Sequence, residues 1–333
     1  MRARGNRPGC DAWLLILASA SLAGSDMTAL PSTSSAVTAR SAALAGIGYM
    51  LAAVFLFALS SAVGKWLVAT YPVGEFLLIR SAATLLLLSP FIWRAGKAAF
   101  VNVPRPGLQA VRVVLSTAEI AMFFWAVTYM PLADATTFYL AGPIFVTALS
   151  VLLLGERVGW RRWTAVLIGF CGVVIALRPS AASFTLPALI ALGGSIFYAL
   201  LMIVTRMLRE TSYTMLITTQ FLGVLAFGVA TAPLGWVPPG GFDLLFMTGL
   251  GISSMLSLYC VVRSLKLASA SMVVPYQYTL ILWSVLFGWQ MFGELPDAYT
   301  IAGATIIVAA GLYIFWREQA AAKVQLTPGP ETP

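Results

Sequence analysis

Ten mostly apolar stretches, separated by short polar connections, dominate this chain. They lie at about 44–64, 73–93, 108–128, 132–153, 163–177, 186–205, 214–232, 243–262, 270–291 and 297–316. Runs of roughly 20 such residues are what an α-helix needs to cross the hydrocarbon core of a bilayer. The tightest connection, Tyr129–Pro131, makes the third and fourth an antiparallel hairpin. Composition agrees. The 333 residues are 60% hydrophobic and 10% charged, against about 25% charged in an average soluble domain. That excludes an ordinary cytosolic enzyme, a secreted disulfide scaffold and a disordered chain. The chain is expected to be an all-α membrane protein of ten transmembrane helices.

The chemistry it excludes is equally broad. There is no histidine, so histidine triads, metal sites and proton relays are ruled out. Cys10, Cys171 and Cys260 are scattered, without a CxxC pair, and make neither a zinc site nor a disulfide framework. No strand-linked GxGxxG and no Walker lysine motif is present, so ATP-driven pumping is not expected. No cofactor, no metal and no catalytic residue is expected.

Charge sets the orientation. With the N-terminus in the cytoplasm, 16 Lys and Arg fall on inside segments, and only Lys65 and Arg178 fall outside. Arg80 and Arg112 lie within spans, and Arg112 is placed to snorkel to the cytoplasmic face. The net charge of +8 is therefore a topology signal, not a nucleic-acid footprint. Residues 1–43 are read as a cytoplasmic tail. Arg2, Arg4 and Arg7 before the apolar run Trp13–Ala20 resemble a signal peptide, but the run is too short to span. Upstream sequence ahead of a start at Met27 or Met50 is the other reading. Residues 318–333 form a second cytoplasmic tail.

The two halves repeat. Gly155-Glu156 recurs as Gly293-Glu294, 138 residues later. Each follows an apolar helix opened by small and polar residues, Ala133–Thr137 and Ser271–Pro275. Each precedes a span with a late glycine, Gly172 or Gly311. Phe57-Ala58 with Lys65 corresponds to Tyr198-Ala199 with Arg206. Each repeat (44–178 and 186–317) holds five spans. Five is odd, so consecutive copies sit in opposite orientations, an inverted-topology arrangement found in many secondary transporters.

These paired repeats, their Gly-Glu ends and Arg80 in span two resemble the EamA-type members of the drug/metabolite transporter superfamily. Val274–Tyr278 and Gly293–Asp297 look like the branch of bacterial riboflavin and S-adenosylmethionine importers. The resemblance implies a multi-pass protein of the cell inner membrane, not an enzyme, that moves a small metabolite by alternating access. Riboflavin uptake is the first choice it implies. S-adenosylmethionine or other metabolite uptake, or amino-acid or drug export, is the alternative. The expected partners are a small-molecule substrate and the lipid bilayer, not nucleic acid. A homodimer is compatible with the sequence.

Several residues are candidates for substrate binding. Arg80 and Glu119 lie near the middle of antiparallel spans at similar depth, where charge is expensive. They are expected to pair, either to fix packing or to contact substrate. Tyr276 and Trp283, seven apart on span nine, share a helix face. With Gln277 beside them and Pro275 opening the backbone, they suit a flat heteroaromatic ligand. An interfacial aromatic belt is the competing reading for Tyr276, and packing for Trp283. Tyr139, which aligns with Gln277, and Trp125 complete the set. Asp134 is read as a helix cap, Glu75 as solvated, and Glu156 and Glu294 as caps or gate elements. Pro275 and Pro143 do not align, which weakens any symmetry in the helix breaks. The glycines of Gly169–Gly172 and Gly249–Ser253 are read as packing surfaces.

Overall fold

The computed structural model describes residues 33–96, 105–154, 159–177, 185–208, 211–268 and 270–326. Among the described residues every regular element is helical. In chain order the α-helices are α1 Thr33–Val68, α2 Val73–Ala95, α3 Pro106–Tyr129, α4 Leu132–Leu140, α5 Gly142–Leu154, α6 Trp160–Leu177, α7 Leu186–Met207, α8 Tyr213–Thr231, α9 Gly241–Leu267, α10 Ala270–Val273, α11 Leu280–Phe292 and α12 Ala298–Leu326.

Among the described residues, eight helical segments are long and apolar enough to cross a membrane, with α4 and α5 together making one, Leu132–Leu154. The two other expected spans differ from simple crossing helices. The fifth holds a shorter apolar helix, Trp163–Ala176. The ninth is interrupted: α10 gives way to a 3-10 stretch, Val274–Thr279, before α11 begins. Pro275 stands at the start of that stretch, where its missing N–H removes a helical hydrogen bond. Helix also runs beyond the expected spans, back to Thr33 and on to Leu326. Alanine-rich sequence such as Ala320–Ala322 favours this extension.

The two halves wrap each other. The most extensively packed pairs are α1 with α9, α6 with α12, α2 with α8, and α3 with α7, each joining one half to the other. Exchanging each helix for its counterpart in the other half turns α1–α9 into α7–α3 and leaves α2–α8 and α6–α12 as they are. The secondary contacts follow the same rule: α1–α11 answers α7–α5, and α2–α9 answers α8–α3.

Small residues let these backbones approach. In lipid, close van der Waals packing and interhelical hydrogen bonds replace the hydrophobic effect as the force joining helices. Ser60 Oγ donates to Ser253 Oγ at 2.8 Å, Ser257 Oγ to the Ala53 carbonyl at 2.9 Å, and Ser264 Oγ to the Gly46 carbonyl at 2.6 Å. These bonds fasten α9 to α1. Gly172 and Gly303 face each other across α6–α12. A Cβ on Gly303 would stand 2.7 Å from the Gly172 carbonyl oxygen. Gly251 lies against the Arg80 carbonyl in the same way. No neighbour crowds Gly249, so within Gly249–Ser253 the packing surface is Gly251 and Ser253.

Candidate functional site

Two sets of charged groups bridge the halves away from the α2–α3 connection, one at an end of the bundle and one at mid-depth. At the end, Lys65 closes α1 and is buried. Its Nζ donates to Glu294 Oε1 at 2.6 Å and Oε2 at 2.5 Å, and to the Met130 carbonyl at 2.9 Å. Glu294 Oε2 also accepts the Leu132 N–H at 3.3 Å, and Lys65 lies 4.9 Å from the centre of the Phe292 ring. The ammonium thus ties α1 and the α3–α4 turn of the first half to the α11–α12 loop of the second. Gly293 makes this turn. It caps α11 at φ +67°, the left-handed region glycine favours, and the chain turns there to bring Glu294 to Lys65. Glu156, the sequence counterpart of Glu294, lies outside the described residues.

The same end carries a second polar group. Glu75 is 1% exposed and accepts the Val237 N–H at 2.9 Å, so it is buried and bonded, not solvated. Tyr71 donates to Asp243 Oδ2 at 2.6 Å, and this bond to a carboxylate raises the Tyr71 pKa above the ordinary phenol value. Together these contacts hold the α8–α9 connection. Asp134 stands in the first turn of α4, whose N-cap is Pro131. Asp134 is thus not the cap, and its charge favours the positive end of the helix dipole.

At mid-depth the expected Arg80–Glu119 ion pair is absent. Arg80 instead donates to Ser254 Oγ of α9 at 2.7 Å and lies over the Phe124 ring at 5.5 Å. Its Nε is buried without a partner. Equal depth along antiparallel spans does not fix which way the two side chains face, and Ser254 of the other half takes up the guanidinium. Glu119 and Arg80 still influence each other electrostatically. Tyr139 turns its hydroxyl to the Glu119 carbonyl at 3.0 Å and sets its ring edge-on to Phe123.

The span-nine aromatics are only partly assembled. Tyr276, in the 3-10 stretch, and Trp283, on α11, both pack against a cluster with Met50 and Val54 of α1, but the break between them removes the common α-helix face expected from their spacing. Trp283 is already met edge-on by Phe55 at 5.0 Å and stacked at 6.2 Å by Phe287. Gln277 is exposed. Trp125 is apart from all of these. It lines a crevice of about 290 Å³ with Tyr71, Thr128, Tyr129 and Phe227, beside the ends of α1 and α3.

Arg112 does not snorkel. It is buried and donates to Thr205 Oγ1 at 3.0 Å, the Leu216 carbonyl at 2.8 Å and Gln220 Oε1 at 3.1 Å. It binds α3 to α7 and α8. The helix breaks align better than the prolines do. α5 covers residues 142–154 and α11 covers 280–292, so both second half-helices start and stop 138 residues apart, at the offset of the Gly-Glu repeat.

A polytopic helical bundle of two interlocked halves, with ionisable groups buried at mid-depth, has the make-up of a membrane carrier. The chain belongs to the EamA-like transporter family, whose family model matches residues 44–178 and again 185–316. It is 28% identical to an S-adenosylmethionine uptake transporter of Rickettsia felis over 84% of this chain and 95% of that one. It is 28% identical to a riboflavin transporter of Vibrio cholerae, over 81% and 93%. It is 30% identical to the pseudopaline exporter CntI of Pseudomonas aeruginosa, over 80% and 94%. A crystal structure of a protein 19% identical superposes with a TM-score of 0.53 over 83% of this chain and 97% of the other, a likeness of fold. The protein is a multi-pass membrane transporter of a small molecule.

Proposed function

We propose that the protein is a secondary transporter of the bacterial inner membrane. Two inverted five-span halves rock against each other to expose a mid-depth site to either side in turn. The observation that carries this reading is the Lys65–Glu294 bridge. It joins the two halves at one end of the bundle, as a closed gate on one side of an alternating-access carrier would. Packing pairs that survive exchange of the halves, and half-helices offset by 138 residues, support the inverted repeat. Counted with the short α6 and the interrupted α10–α11, the apolar segments number ten, and the charge split then puts both termini in the cytoplasm.

The relatives named for uptake of riboflavin and of S-adenosylmethionine frame the substrate. Riboflavin uptake draws on the Tyr276, Gln277 and Trp283 surface. Against it, Trp283 is already engaged by the rings of Phe55 and Phe287. S-adenosylmethionine uptake draws on the separated charges Arg80 and Glu119. We take a metabolite with a charged end, S-adenosylmethionine foremost, as the better fit. The test is accumulation of labelled S-adenosylmethionine and labelled riboflavin in vesicles carrying the purified protein. Accumulation of the first alone is expected. Accumulation of riboflavin alone would reverse the choice, and accumulation of neither would remove both. A reporter fused after Pro333 should be active only in its cytoplasmic form, and periplasmic activity would sink the orientation.

A further inference from the structure

The crevice that holds Trp125 opens toward the bilayer. On α3 the large apolar side chains exposed at the surface are Val111, Val114, Trp125 and Tyr129. At 3.6 residues per turn they fall within about 60° of one another. Phe123, Phe124 and Val127 lie on the other side of the helix and are buried. The helix is one of the membrane spans, and a span that is apolar on its exposed stripe as well as its buried one presents that stripe to lipid. The crevice is cut beside the stripe and shares Trp125 and Tyr129 with it.

Its polarity is graded with depth. Tyr129 ends α3, and Ala121 lies eight residues further in, about 12 Å at 1.5 Å per residue. The mouth carries the hydroxyl-bearing Tyr71, Thr128 and Tyr129, while Ala121, Trp125 and Phe227 line the deeper part. The Tyr71 and Thr128 hydroxyls already donate, to Asp243 and to the Phe124 carbonyl. A polar metabolite would lose its water in the deeper part without replacement. A hydrocarbon chain already dissolved in the bilayer bears no such cost. We infer that the crevice is a binding site for one acyl chain of a phospholipid in the leaflet at the Lys65 end, with the glycerol end at the tyrosine-lined mouth. Phe227 belongs to the second half and the other lining residues to the first, so a seated chain lies at the junction of the halves.

The test uses the fluorescence of the full-length protein in detergent, titrated with a phosphatidylcholine brominated near the glycerol end of one chain. The Trp125 signal is the difference between each protein and its own Trp125→Phe partner. Saturable quenching of that signal, reversed by the unbrominated lipid, is expected. Thr128→Phe and Val73→Phe fill the crevice from two different walls, and each should weaken the apparent affinity at least about tenfold. Val114→Phe, on the same stripe but outside the crevice, should leave it unchanged. Whichever filling variant keeps the unmutated unfolding midpoint decides. Quenching that rises with lipid without saturating shows only the lipid that surrounds any membrane protein and overturns the site. Unchanged affinity in a folded filling variant overturns it too. Relief of the quenching by riboflavin or S-adenosylmethionine, at concentrations that half-saturate uptake, would give the crevice to the substrate and overturn the lipid assignment.

Discussion

Arg112 illustrates how a charge is kept at membrane depth. Its guanidinium spends its donors on a hydroxyl, a carbonyl and an amide from two helices of the other half. The fork geometry is what allows three acceptors in different directions, and an ammonium cannot reproduce it. Arg112→Lys should therefore destabilise the protein by about 1–3 kcal/mol, the cost of a buried acceptor left without its donor. Thermal unfolding in detergent measures this, and an unchanged midpoint would show that the three contacts contribute nothing. Arg80 contrasts with it, with one bond made and one nitrogen left over. From sequence the two arginines look alike, because both are lone cations in apolar runs. Which is satisfied depends on side chains more than 90 residues away, beyond the reach of any local pattern. Glu75 is buried for the same reason, since its partner Val237 lies in a distant connection.

At the scale of the element, glycine spacing was the most legible feature. The run Gly169–Gly172 supplies the surface on which α12 rests, through Gly303 and Ala310. Gly303→Ala places a methyl 2.7 Å from the Gly172 carbonyl oxygen and 2.7 Å from Ala176 Cβ. Backbone cannot swing aside, so α6 and α12 must separate. Overpacking of this kind costs about 1–3 kcal/mol. A lowered unfolding midpoint is expected for Gly303→Ala, and none for Gly249→Ala, where no neighbour is met. Equal effects would mean that helix propensity, not packing, governs both sites. The breaks in spans four and nine were harder to read. Pro143 and Pro275 are visible but out of register, whereas the half-helices α5 and α11 keep the 138-residue offset. A proline forbids one hydrogen bond, but where the helix resumes is set by what packs around it. Thr136, bonded to Ser284 at 3.0 Å, joins α4 to α11 beside both breaks.

For the whole molecule the Lys65–Glu294 bridge is the feature with functional consequence. Reversing one charge sets like charges together at a contact that is largely buried, and reversing both restores the attraction. Lys65→Glu and Glu294→Lys should each open this end of the bundle, and the double reversal should close it again. The readout is labelling of Phe292→Cys by a membrane-impermeant maleimide, in a background without Cys10, Cys171 and Cys260. Labelling in the double reversal as fast as in the singles would show that the pair does not hold the halves together. Both partners stand out in the sequence: Lys65 is one of two cations assigned outside, and Gly293-Glu294 is the end that repeats Gly155-Glu156. Hydropathy, charge asymmetry and the 138-residue repeat determined by themselves that the chain lies in a membrane, that it is helical and that it is built twice. Those properties follow from the bilayer's demand that every backbone group be satisfied within its own helix, a demand met locally. Only the tertiary structure decided the partners of Lys65, Arg80 and Arg112, because which faces of packed helices meet depends on their rotation about their axes, which small residues permit but no local sequence specifies.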